Sequence, residues 1–521
     1  MAQSENEITM PVAIDRHRTR ILNETVVSTS ILVVALALGV FLRIWQLNAI
    51  GYNTDEAVYT GQAAAIAGVP DLKNLFPIFR AHPLLFQFTL SLLFHFGFQD
   101  LWGRLLAVLV GMGTVLMTYF TGKALYGKTA GALAALFVAF MPYQVIVSRQ
   151  VLLDGPMAFF STVTLYTLAR YGNTQRREWL YASGAAMGLT FLSKETGILM
   201  LGAIYTFLAL ARELRLRIID IIIAAVIMVV VIAPFPISLS LAGGSHSGQQ
   251  YLIWQLFRRP NHDWSFYLTT LPPVIGFLTL IAAAASLWLL RKQRSWQEKL
   301  LLTWIIVPFA FFELWPVKGF QYLLPISAPV AILAARLIAH WAPVIVTKTR
   351  TIYFGWLNPV LGAVIALSLV IPSWQTVQPS TSATFLAGTG GVPGGREAGQ
   401  WVLANVPQNA ILLAVGPSMA NIIEFYGHRQ TFGLAVSPNP LHRNPSYTPI
   451  NNPDQQIRKA TINYVVWDSF SAARSPFFAD KILQYAAKYH GRIIHIQSVS
   501  VSNPDGTSVY KPVIVIFEVH P

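Results

Sequence analysis

The sequence predicts a polytopic α-helical membrane protein of about eleven spans with a soluble α/β domain at its C-terminal end. Three observations lead to this prediction. Hydrophobic residues make up 54% of the 521 residues and charged residues only 12%, about half the charged share of soluble domains. Apolar runs of roughly 20 residues, each long enough to cross a bilayer, recur as far as residue 371. The last ~150 residues are polar, rich in Pro and Asn, and without such a run.

Apolar runs define the predicted transmembrane region, residues 1–372. It is followed by a linker, 373–395, and an extracytoplasmic α/β domain, 396–521. The polar, basic N-terminus precedes an apolar run without an Ala-x-Ala cleavage site, which is typical of an uncleaved anchor. The predicted spans are 27–47, 104–124, 129–147, 153–172, 179–193, 196–211, 218–240, 267–290, 300–314, 320–341 and 352–371.

Orientation follows from the basic residues of the short loops. We expect the apolar run 82–98 to be a juxtamembrane or re-entrant helix on the outer side, because a crossing there would reverse the charge bias of every later loop. The N-terminus is then cytoplasmic, and the C-terminal domain lies outside. The cations placed inside are Lys123, Lys128, Arg176, Arg177, Arg212, Arg215, Arg217, Arg291, Lys292, Arg294, Lys348 and Arg350.

Composition also excludes some functions. The formal charge of +14 is explained by the positive-inside bias, so no nucleic-acid partner is expected. The chain has no cysteine, which excludes disulfides, thiolate chemistry and Cys-based metal sites.

The stretch 51–68, GYNTDEAVYTGQAAAIAG, directly follows the first span and carries the acidic pair Asp55 and Glu56. A pair of carboxylates at the edge of the hydrocarbon region costs free energy and is therefore expected only where its charges are paired or it has a function. The neighbouring Tyr52 and Tyr59 are typical of the headgroup level. A solvated loop leading into a capped helix remains the alternative interpretation.

The predicted orientation gathers a set of polar residues from distant parts of the chain on the outer face. Ionisable residues at membrane depth often mark function, although mutual pairing offers a purely structural explanation for each. The set is Asp55, Glu56, His82, Arg104, Arg149, Asp154, Lys194, Glu195, Arg258, Arg259, Lys318 and Tyr322.

Several segments resemble, in order, the GT-C glycosyltransferases. The similarity is to the branch holding protein O-mannosyltransferases and lipid A aminoarabinose transferases, and it covers roughly residues 25–345. YNTDEAVYTGQA resembles the Asp-Glu motif, and AHPLLFQ resembles a His-Pro-Pro-Leu segment in which Leu84 replaces the second proline. The run from Arg104 through Ser148, Arg149 and Asp154, then FLSKETG and KGFQYLLPISAP, resembles later segments of that branch.

The resemblance implies an inverting glycosyltransferase. Its donor would be a polyprenyl-phosphate-linked monosaccharide, and its acceptor a lipid, glycan or protein on the extracytoplasmic face. Asp55 is the expected general base, with Glu56 positioning the acceptor or stabilising the loop. Arg104 would pair with the acids or the phosphate. Asp154 would orient Arg149 or contact the sugar, and capping of its helix remains an equal alternative.

Lys194 and the Arg258–Arg259 pair are the phosphate candidates, because ammonium and guanidinium groups bind phosphate oxygens. The loop 241–266 suits a lid over the donor, or an interfacial amphipathic helix. The expected substrate-binding set is completed by Tyr59, His82, Glu195, Lys318 and Tyr322. The resemblance implies no cofactor or metal, although some GT-C enzymes bind a divalent cation.

The C-terminal domain shows strand and helix patterns in alternation. AILLAVG, INYVVWD, IIHIQSVSV and KPVIVIFEVH are typical of strands, whereas REAGQWVLANV, NIIEFYG and FFADKILQYAAKYH are typical of helices. The stretch 432–457 lacks both periodicities and is expected to be a loop that faces the membrane site.

Three alternative functions stay open. A lipid-linked sugar flippase or transporter would favour internal repeats and charges at the membrane midplane, and the sequence shows neither. A non-catalytic GT-C-like binding protein would keep the spans without needing Asp55. An oligosaccharyltransferase-like enzyme would need a metal-binding acidic set, for which Asp55, Glu56 and Asp154 are the candidates.

Overall fold

The computed structural model describes residues 11–78, 82–241, 245–341, 344–346, 351–353, 357–379, 392–502 and 507–521. Parts of the predicted linker (380–391) and of the predicted lid loop (242–244), together with the expected cytoplasmic cations Lys348 and Arg350, lie outside the described residues.

Helices make up nearly all of the chain up to residue 376, and they pack around one extended apolar core. A short antiparallel pair of strands precedes the last of them. In chain order the elements are α1 (Pro11–Ile44), α2 (Thr54–Ile66), α3 (Pro70–Lys73), α4 (Leu85–Leu93), α5 (Leu101–Tyr126), α6 (Lys128–Phe140), α7 (Pro142–Val147), α8 (Asp154–Thr174), α9 (Arg177–Ser193), α10 (Met200–Leu210), α11 (Ile218–Ile232), α12 (Pro234–Leu241), α13 (Ser245–Phe257), α14 (Phe266–Ile275), α15 (Phe277–Leu289), α16 (Trp296–Leu314), α17 (Ser327–His340), β1 (Val344–Val346), β2 (Thr351–Tyr353) and α18 (Leu357–Thr376).

Five stretches within the described residues are long and apolar enough to cross a membrane, and a sixth is added if one bent helix pair is a single span. The predicted count of eleven spans is therefore not confirmed. The difference arises because several predicted spans are short or interrupted helices inside the bundle. The five stretches are Glu24–Ile44, Leu101–Tyr126, Ile218–Leu241, Phe320–His340 and Leu357–Thr376.

Two predicted spans are broken, one before a proline and the other at a glycine. The predicted span 129–147 divides into α6 and α7, with Met141 extended (ψ 119°) before Pro142. This is the conformation that a following proline favours. The predicted span 267–290 bends by 95° between α14 and α15. Its break lies at Gly276, whose φ of +96° is a left-handed conformation that glycine adopts without strain.

The ambiguous run 82–98 forms α4 followed by a 3-10 turn, Phe94–Phe96. At 1.5 Å per residue these 12 residues reach about 18 Å, well short of the ~30 Å hydrocarbon core. Phe86 and Leu90 on one face are buried against α2 and its neighbours. The helix is thus too short to cross.

The C-terminal residues form a five-stranded sheet with helices on both faces. The strand order is β4-β3-β5-β7-β6, with β4, β3 and β5 parallel and β7 antiparallel to β5 and β6. The elements are α19 (Gly395–Asn405), β3 (Leu412–Ala414), α20 (Pro417–Gly427), β4 (Thr431–Gly433), α21 (Pro453–Arg458), β5 (Tyr464–Asp468), α22 (Ser469–Arg474), α23 (Pro476–Lys488), β6 (Arg492–Ser502) and β7 (Ser508–Glu518).

Alternate residues of the central strands face the two helical layers, as the twofold strand period requires. Leu412 and Ala414 pack toward α19, α20 and the segment around α2, whereas Leu413 and Val415 pack toward α23. The stretch 432–457 is largely irregular, as expected, but its first two residues belong to the edge strand β4, a 3-10 turn covers Pro440–His442, and its last five residues belong to α21.

A polar network joins the C-terminal sheet to the loop before α2. The Tyr426 hydroxyl accepts a hydrogen bond from the Tyr52 backbone N–H at 3.0 Å and donates one to Asp100 Oδ2 at 3.0 Å. Arg396 Nη1 donates to the Asn48 carbonyl oxygen at 2.9 Å, and Arg396 Nη2 lies 2.9 Å from Asp100 Oδ2. A Cβ at Gly51 would lie 2.7 Å from Arg396 Cβ, so glycine is required for this approach. The C-terminal domain therefore contacts the loop that leads into α2, the helix on which Asp55 lies.

Candidate active site

A cavity of about 550 Å³ lies where the predicted outer-face residues converge. Its walls come from α2, the turn after α9, the helix α13, the end of α16, the segment around Tyr322 and the loop that follows β4. Eight of the predicted site residues line it: Asp55, Tyr59, His82, Lys194, Glu195, Arg258, Lys318 and Tyr322.

A capping box fixes the start of α2 and separates its two acids. Asn53 Oδ1 accepts from the Glu56 backbone N–H, and Glu56 Oε2 accepts from the Asn53 backbone N–H, both at 3.0 Å. Glu56 is thereby held inside the protein, whereas Asp55, one residue earlier, faces the cavity. Asp55 makes no hydrogen bond or ion pair to any residue that the structure describes.

The pKa of Asp55 is raised above its ordinary value. Loss of solvation among the surrounding groups is the main cause, and the nearby charge of Glu56 adds to it. The cations Lys194, His82 and Arg258 act in the opposite direction. The carboxyl is therefore a better proton acceptor than an ordinary surface aspartate.

Glu56 and Arg104 form a fully buried bidentate ion pair. Arg104 Nε and Nη2 each lie 2.8 Å from a Glu56 carboxylate oxygen, and the Val151 backbone N–H donates to Glu56 Oε1 at 3.2 Å. Arg104 also donates to the carbonyl oxygens of Ile50 and Gly51. Of the alternatives predicted for these two residues, the geometry favours pairing and stabilisation of the loop over contact with a substrate.

Lys194 links the cavity to a buried acid. Its Nζ lies 2.8 Å from both carboxylate oxygens of Asp154 and 4.7 Å from the centroid of the Tyr322 ring. Burial is the largest single influence and opposes the charged form, but Asp154, Tyr322 and Glu195 together outweigh it, so the pKa of Lys194 is raised. Asp154 itself does not line the cavity. Its position indicates that it orients Lys194, rather than Arg149 as the resemblance implied.

His82 and Glu195 form a second pair on the cavity wall, with Nδ1 2.7 Å from Oε2. Burial is the largest single influence and favours the neutral form of Glu195, but His82, Lys194 and a backbone hydrogen bond together outweigh it, so the pKa of Glu195 is lowered. The rings of Tyr59 and Tyr251 stand edge-on to His82 at 5.9 and 5.3 Å. Burial raises the pKa of Tyr59, so its hydroxyl stays protonated and can donate a hydrogen bond.

The predicted lid contains the helix α13, and the two phosphate candidates directly follow its last residue, Phe257. Arg258 lies over Trp254, 4.9 Å from the ring centroid, and both residues line the large cavity. Arg259 is exposed and does not line it. Together with Trp254, Arg258 and His442, it lines a neighbouring open cavity of about 480 Å³. Arg258 therefore borders both cavities, whereas Arg259 borders only the open one.

Lys318 is 4% exposed, although it lines the cavity. Its Nζ lies 3.5 Å from Glu313 Oε2 and donates to the Glu313 carbonyl oxygen. The rings of Trp264 and Tyr267 approach the same ammonium at 5.0 and 5.5 Å. These contacts hold the lysine at the wall.

Arg149 lies away from the cavity. Its Nη1 donates to the carbonyl oxygens of Leu42, Arg43 and Trp45 at 2.8–3.0 Å. It therefore satisfies carbonyls at the end of α1, which have no partner within the helix. Arg149 is not among the residues that line the cavity.

Sequence reasoning missed several cavity residues, among them Tyr251, Trp315, Asn444 and Tyr447. Tyr251 lies one helical turn before Trp254, so the spacing of aromatics in α13 is a signal that could have identified it. Asn444 and Tyr447 come from the aperiodic loop 432–457, where no local pattern distinguishes them. Their presence agrees with the expectation that this loop faces the membrane site.

No group of three or more His, Cys, Asp or Glu residues suited to a metal ion occurs within the described part of the chain. Asp55, Glu56 and Asp154, the acids considered for a cation, are separated by their contacts. Glu56 is paired with Arg104 and Asp154 with Lys194.

In sequence and in fold the chain resembles glycosyltransferases of the GT-C superfamily. The family model for dolichyl-phosphate-mannose-protein mannosyltransferase matches residues 81–237. The fold is similar to the crystal structure of ArnT from Cupriavidus metallidurans in the apo state, with a TM-score of 0.68 and 14% identity over 95% of this chain and 98% of that one. The ArnT structure bound to undecaprenyl phosphate gives a TM-score of 0.66.

Sequence relatives include the undecaprenyl phosphate-alpha-4-amino-4-deoxy-L-arabinose arabinosyl transferases. The protein from Enterobacter sp. (strain 638) is 30% identical over 28% of this chain and 30% of its own length. The protein from Pectobacterium carotovorum subsp. carotovorum (strain PC1) is 27% identical over 45% of this chain and 46% of its own. The matches thus span about a third to a half of these curated relatives. The resemblance to GT-C glycosyltransferases stated from the motifs is confirmed.

Proposed function

We propose that the protein is an inverting glycosyltransferase, which moves a monosaccharide from a polyprenyl-phosphate donor to an acceptor hydroxyl. The observation that carries this proposal is the carboxylate of Asp55, which makes no hydrogen bond or ion pair to a described residue. It lines the same cavity as the cations Lys194 and Arg258. Relatives that act on undecaprenyl-phosphate-linked sugars support the class of donor.

Asp55 is the proposed general base. It takes the proton of the acceptor hydroxyl as the acceptor oxygen bonds to the anomeric carbon, and the bond from that carbon to the phosphate oxygen breaks. Attack from the face opposite the phosphate inverts the anomeric centre. The electron pair of the broken bond leaves with the polyprenyl phosphate, whose growing negative charge needs cations nearby.

Lys194 and Arg258 are the proposed phosphate ligands. An ammonium has three N–H donors, and Lys194 points two of them at the Asp154 oxygens. One donor is left for a phosphate oxygen in the cavity. Arg258 reaches the same space from α13 and stacks on Trp254, which limits its motion.

Because these cations can neutralise the leaving phosphate, we propose that the reaction needs no metal cofactor. The paired states of Glu56 and Asp154 support this proposal, since neither carboxylate is free to act as a ligand. Retention of transfer in excess chelator is the expected result.

We further propose that the N-terminus is cytoplasmic and that the cavity and the C-terminal domain are extracytoplasmic. The basic residues of the short loops support this orientation. In the proposed division, the membrane region 1–372 carries the catalytic residues, a linker spans 373–395, and the domain 396–521 covers the cavity. The contact of Tyr426 with Tyr52 supports that placement.

The test is transfer of radiolabelled sugar from lipid extracts by the purified wild type, Asp55→Asn and Asp480→Asn. Asp480 is an exposed aspartate of α23 and serves as the matched control. We expect Asp55→Asn to lose transfer by about 10²–10⁴-fold, the usual contribution of a general base, and Asp480→Asn to be unchanged. Full activity in Asp55→Asn would refute its assignment as the base. Movement of lipid-linked sugar across vesicles without transfer would indicate a flippase instead.

A further inference from the structure

A second cavity, of about 300 Å³, lies between the segment after α3 and the C-terminal domain. We propose that this polar groove binds a neutral saccharide, so that the acceptor of the reaction is a carbohydrate. One hydroxyl of the saccharide is presented to the cavity of about 550 Å³ that Asp55 lines, which is called the donor cavity from here on. This inference rests on the proposed function and adds the acceptor class to it.

The chemistry of the groove is that of a site for hydroxyl groups. Amide and hydroxyl side chains line it, namely those of Asn74, Asn421, Gln430, Thr431, Ser446 and Thr448. Asn74, Gln430 and Thr448 come from three separate segments, and their side chains make no hydrogen bond within the described residues. Amides and hydroxyls both donate and accept, which is what a sugar hydroxyl needs from its neighbours.

The charge of the groove disfavours anionic ligands. Among the described residues that line it there is no Lys, Arg or His, and Glu424 is the one carboxylic acid. A phosphate group would meet this carboxylate without a compensating cation, which is unfavourable. The cations of the site lie instead in the donor cavity. Lipid tails are also unsuited to this polar lining, because they would bury the amides without partners.

A peptide is the other neutral candidate, and β4 gives it an obvious place to bind. This strand is at the edge of the sheet, and all three of its residues line the groove. Strand addition, however, gains affinity from a row of backbone hydrogen bonds, and three residues provide few of them. The unpaired side chains therefore favour the saccharide.

The groove adjoins the donor cavity at Tyr447, the residue that lines both. Asn421 Nδ2 donates to the Tyr447 hydroxyl at 3.5 Å, and the Tyr447 backbone N–H donates to the Asn444 carbonyl oxygen. Asn444 lines the donor cavity. A saccharide in the groove can thus extend past Tyr447 toward the space that Asp55 faces.

The experiment is saturation-transfer NMR on the full-length protein in detergent. The probes are α-1,6-mannobiose, cellobiose and a blocked hexapeptide containing Ser and Thr. Gln430→Ala and Thr448→Val remove exposed groove side chains, and Gln484→Ala removes an exposed glutamine of α23, on the opposite face of the sheet. Undecaprenyl phosphate binding, followed by native mass spectrometry, reports separately on the donor cavity.

We expect a disaccharide to bind the wild type and the Gln484→Ala control equally. Each groove substitution should weaken that binding about fivefold, the effect of losing one hydrogen bond. Undecaprenyl phosphate binding and the melting temperature should be unchanged in both groove variants.

Three outcomes would overturn the proposal: binding of the peptide but of neither disaccharide, binding of nothing, or disaccharide binding that the groove variants leave intact. Failure of the proposed function gives a different pattern. In that case Asp55→Asn retains full transfer or undecaprenyl phosphate fails to bind, while the sensitivity of disaccharide binding to the groove variants still supports the saccharide site.

Discussion

Replacing Glu56 with glutamine keeps the side-chain volume and is expected to destabilise the protein substantially. The fully buried carboxylate accepts from Arg104 Nε and Nη2 at 2.8 Å and from the backbone N–H groups of Asn53 and Val151 at 3.0 and 3.2 Å. A glutamine keeps one acceptor oxygen and turns the other into an NH₂ group, which would face donors. The Arg104 charge would also lose its counter-ion.

Breaking a buried ion pair by removing one charge costs about 3–5 kcal/mol. An unfolding entropy of about 2.1 cal/mol/K per residue, applied to 521 residues, gives roughly 1.1 kcal/mol/K. The melting temperature should therefore fall by about 3–5 °C. The magnitude is large because neither partner can reach water.

The measurement is thermal unfolding of the purified protein in detergent, followed by tryptophan fluorescence. Glu178→Gln is the matched control, since Glu178 is an exposed glutamate in the first turn of α9. Adding Arg104→Met to Glu56→Gln should recover part of the loss, because it removes the uncompensated charge. An unchanged melting temperature combined with a raised KM for either substrate would refute this reasoning and assign Glu56 to substrate binding.

Three further predictions concern the cavity. The rate of transfer should rise with pH to a plateau, because Asp55 must be deprotonated to act as a base. Since the pKa of Asp55 is raised, this rise should occur at higher pH than the titration of an ordinary aspartate. A rate already at its plateau at pH 4 would contradict this prediction. The Lys194→Met variant should lose both transfer activity and stability, because it leaves Asp154 buried without its counter-ion. The double variant Lys194→Met with Asp154→Asn should recover stability but not transfer activity. Recovered transfer in the double variant would exclude Lys194 as a phosphate ligand. Incubation with excess EDTA, followed by the radiolabel assay, should leave the rate within about twofold of the untreated enzyme, and a loss restored by Mg²⁺ or Mn²⁺ would overturn metal independence.

The sequence identified most of the ionisable residues on the cavity wall but could not assign their partners. Asp55 and Glu56 are neighbours with the same chemistry, and only the capping box separates the exposed acid from the buried one. Arg149 carries the charge expected of a phosphate ligand, yet its donors are used by backbone carbonyls at the end of α1. A local sequence pattern cannot reveal such contacts, because they join residues that are distant in the sequence.

The membrane helices were predicted well where they are long and apolar, as in α5 and α11, and less well where the chain breaks. Composition does not reveal that α14 and α15 turn through 95° at Gly276, since a glycine within an apolar run is compatible with a straight helix. The alternating strand pattern identified β5, β6 and β7. The three-residue strand β4 is too short for any period to show.

The contact between Tyr52 and Tyr426 has a consequence for biosynthesis. The two residues are separated by 374 positions, so the ribosome must add 374 residues after Tyr52 before Tyr426 exists. At about 5–20 residues per second, the interval is roughly 20–75 s. Throughout this interval the Tyr52 backbone N–H lacks the hydroxyl that accepts its hydrogen bond in the folded protein. The segment that leads into the helix of the proposed base therefore gains this contact only after α20 of the C-terminal domain has been made.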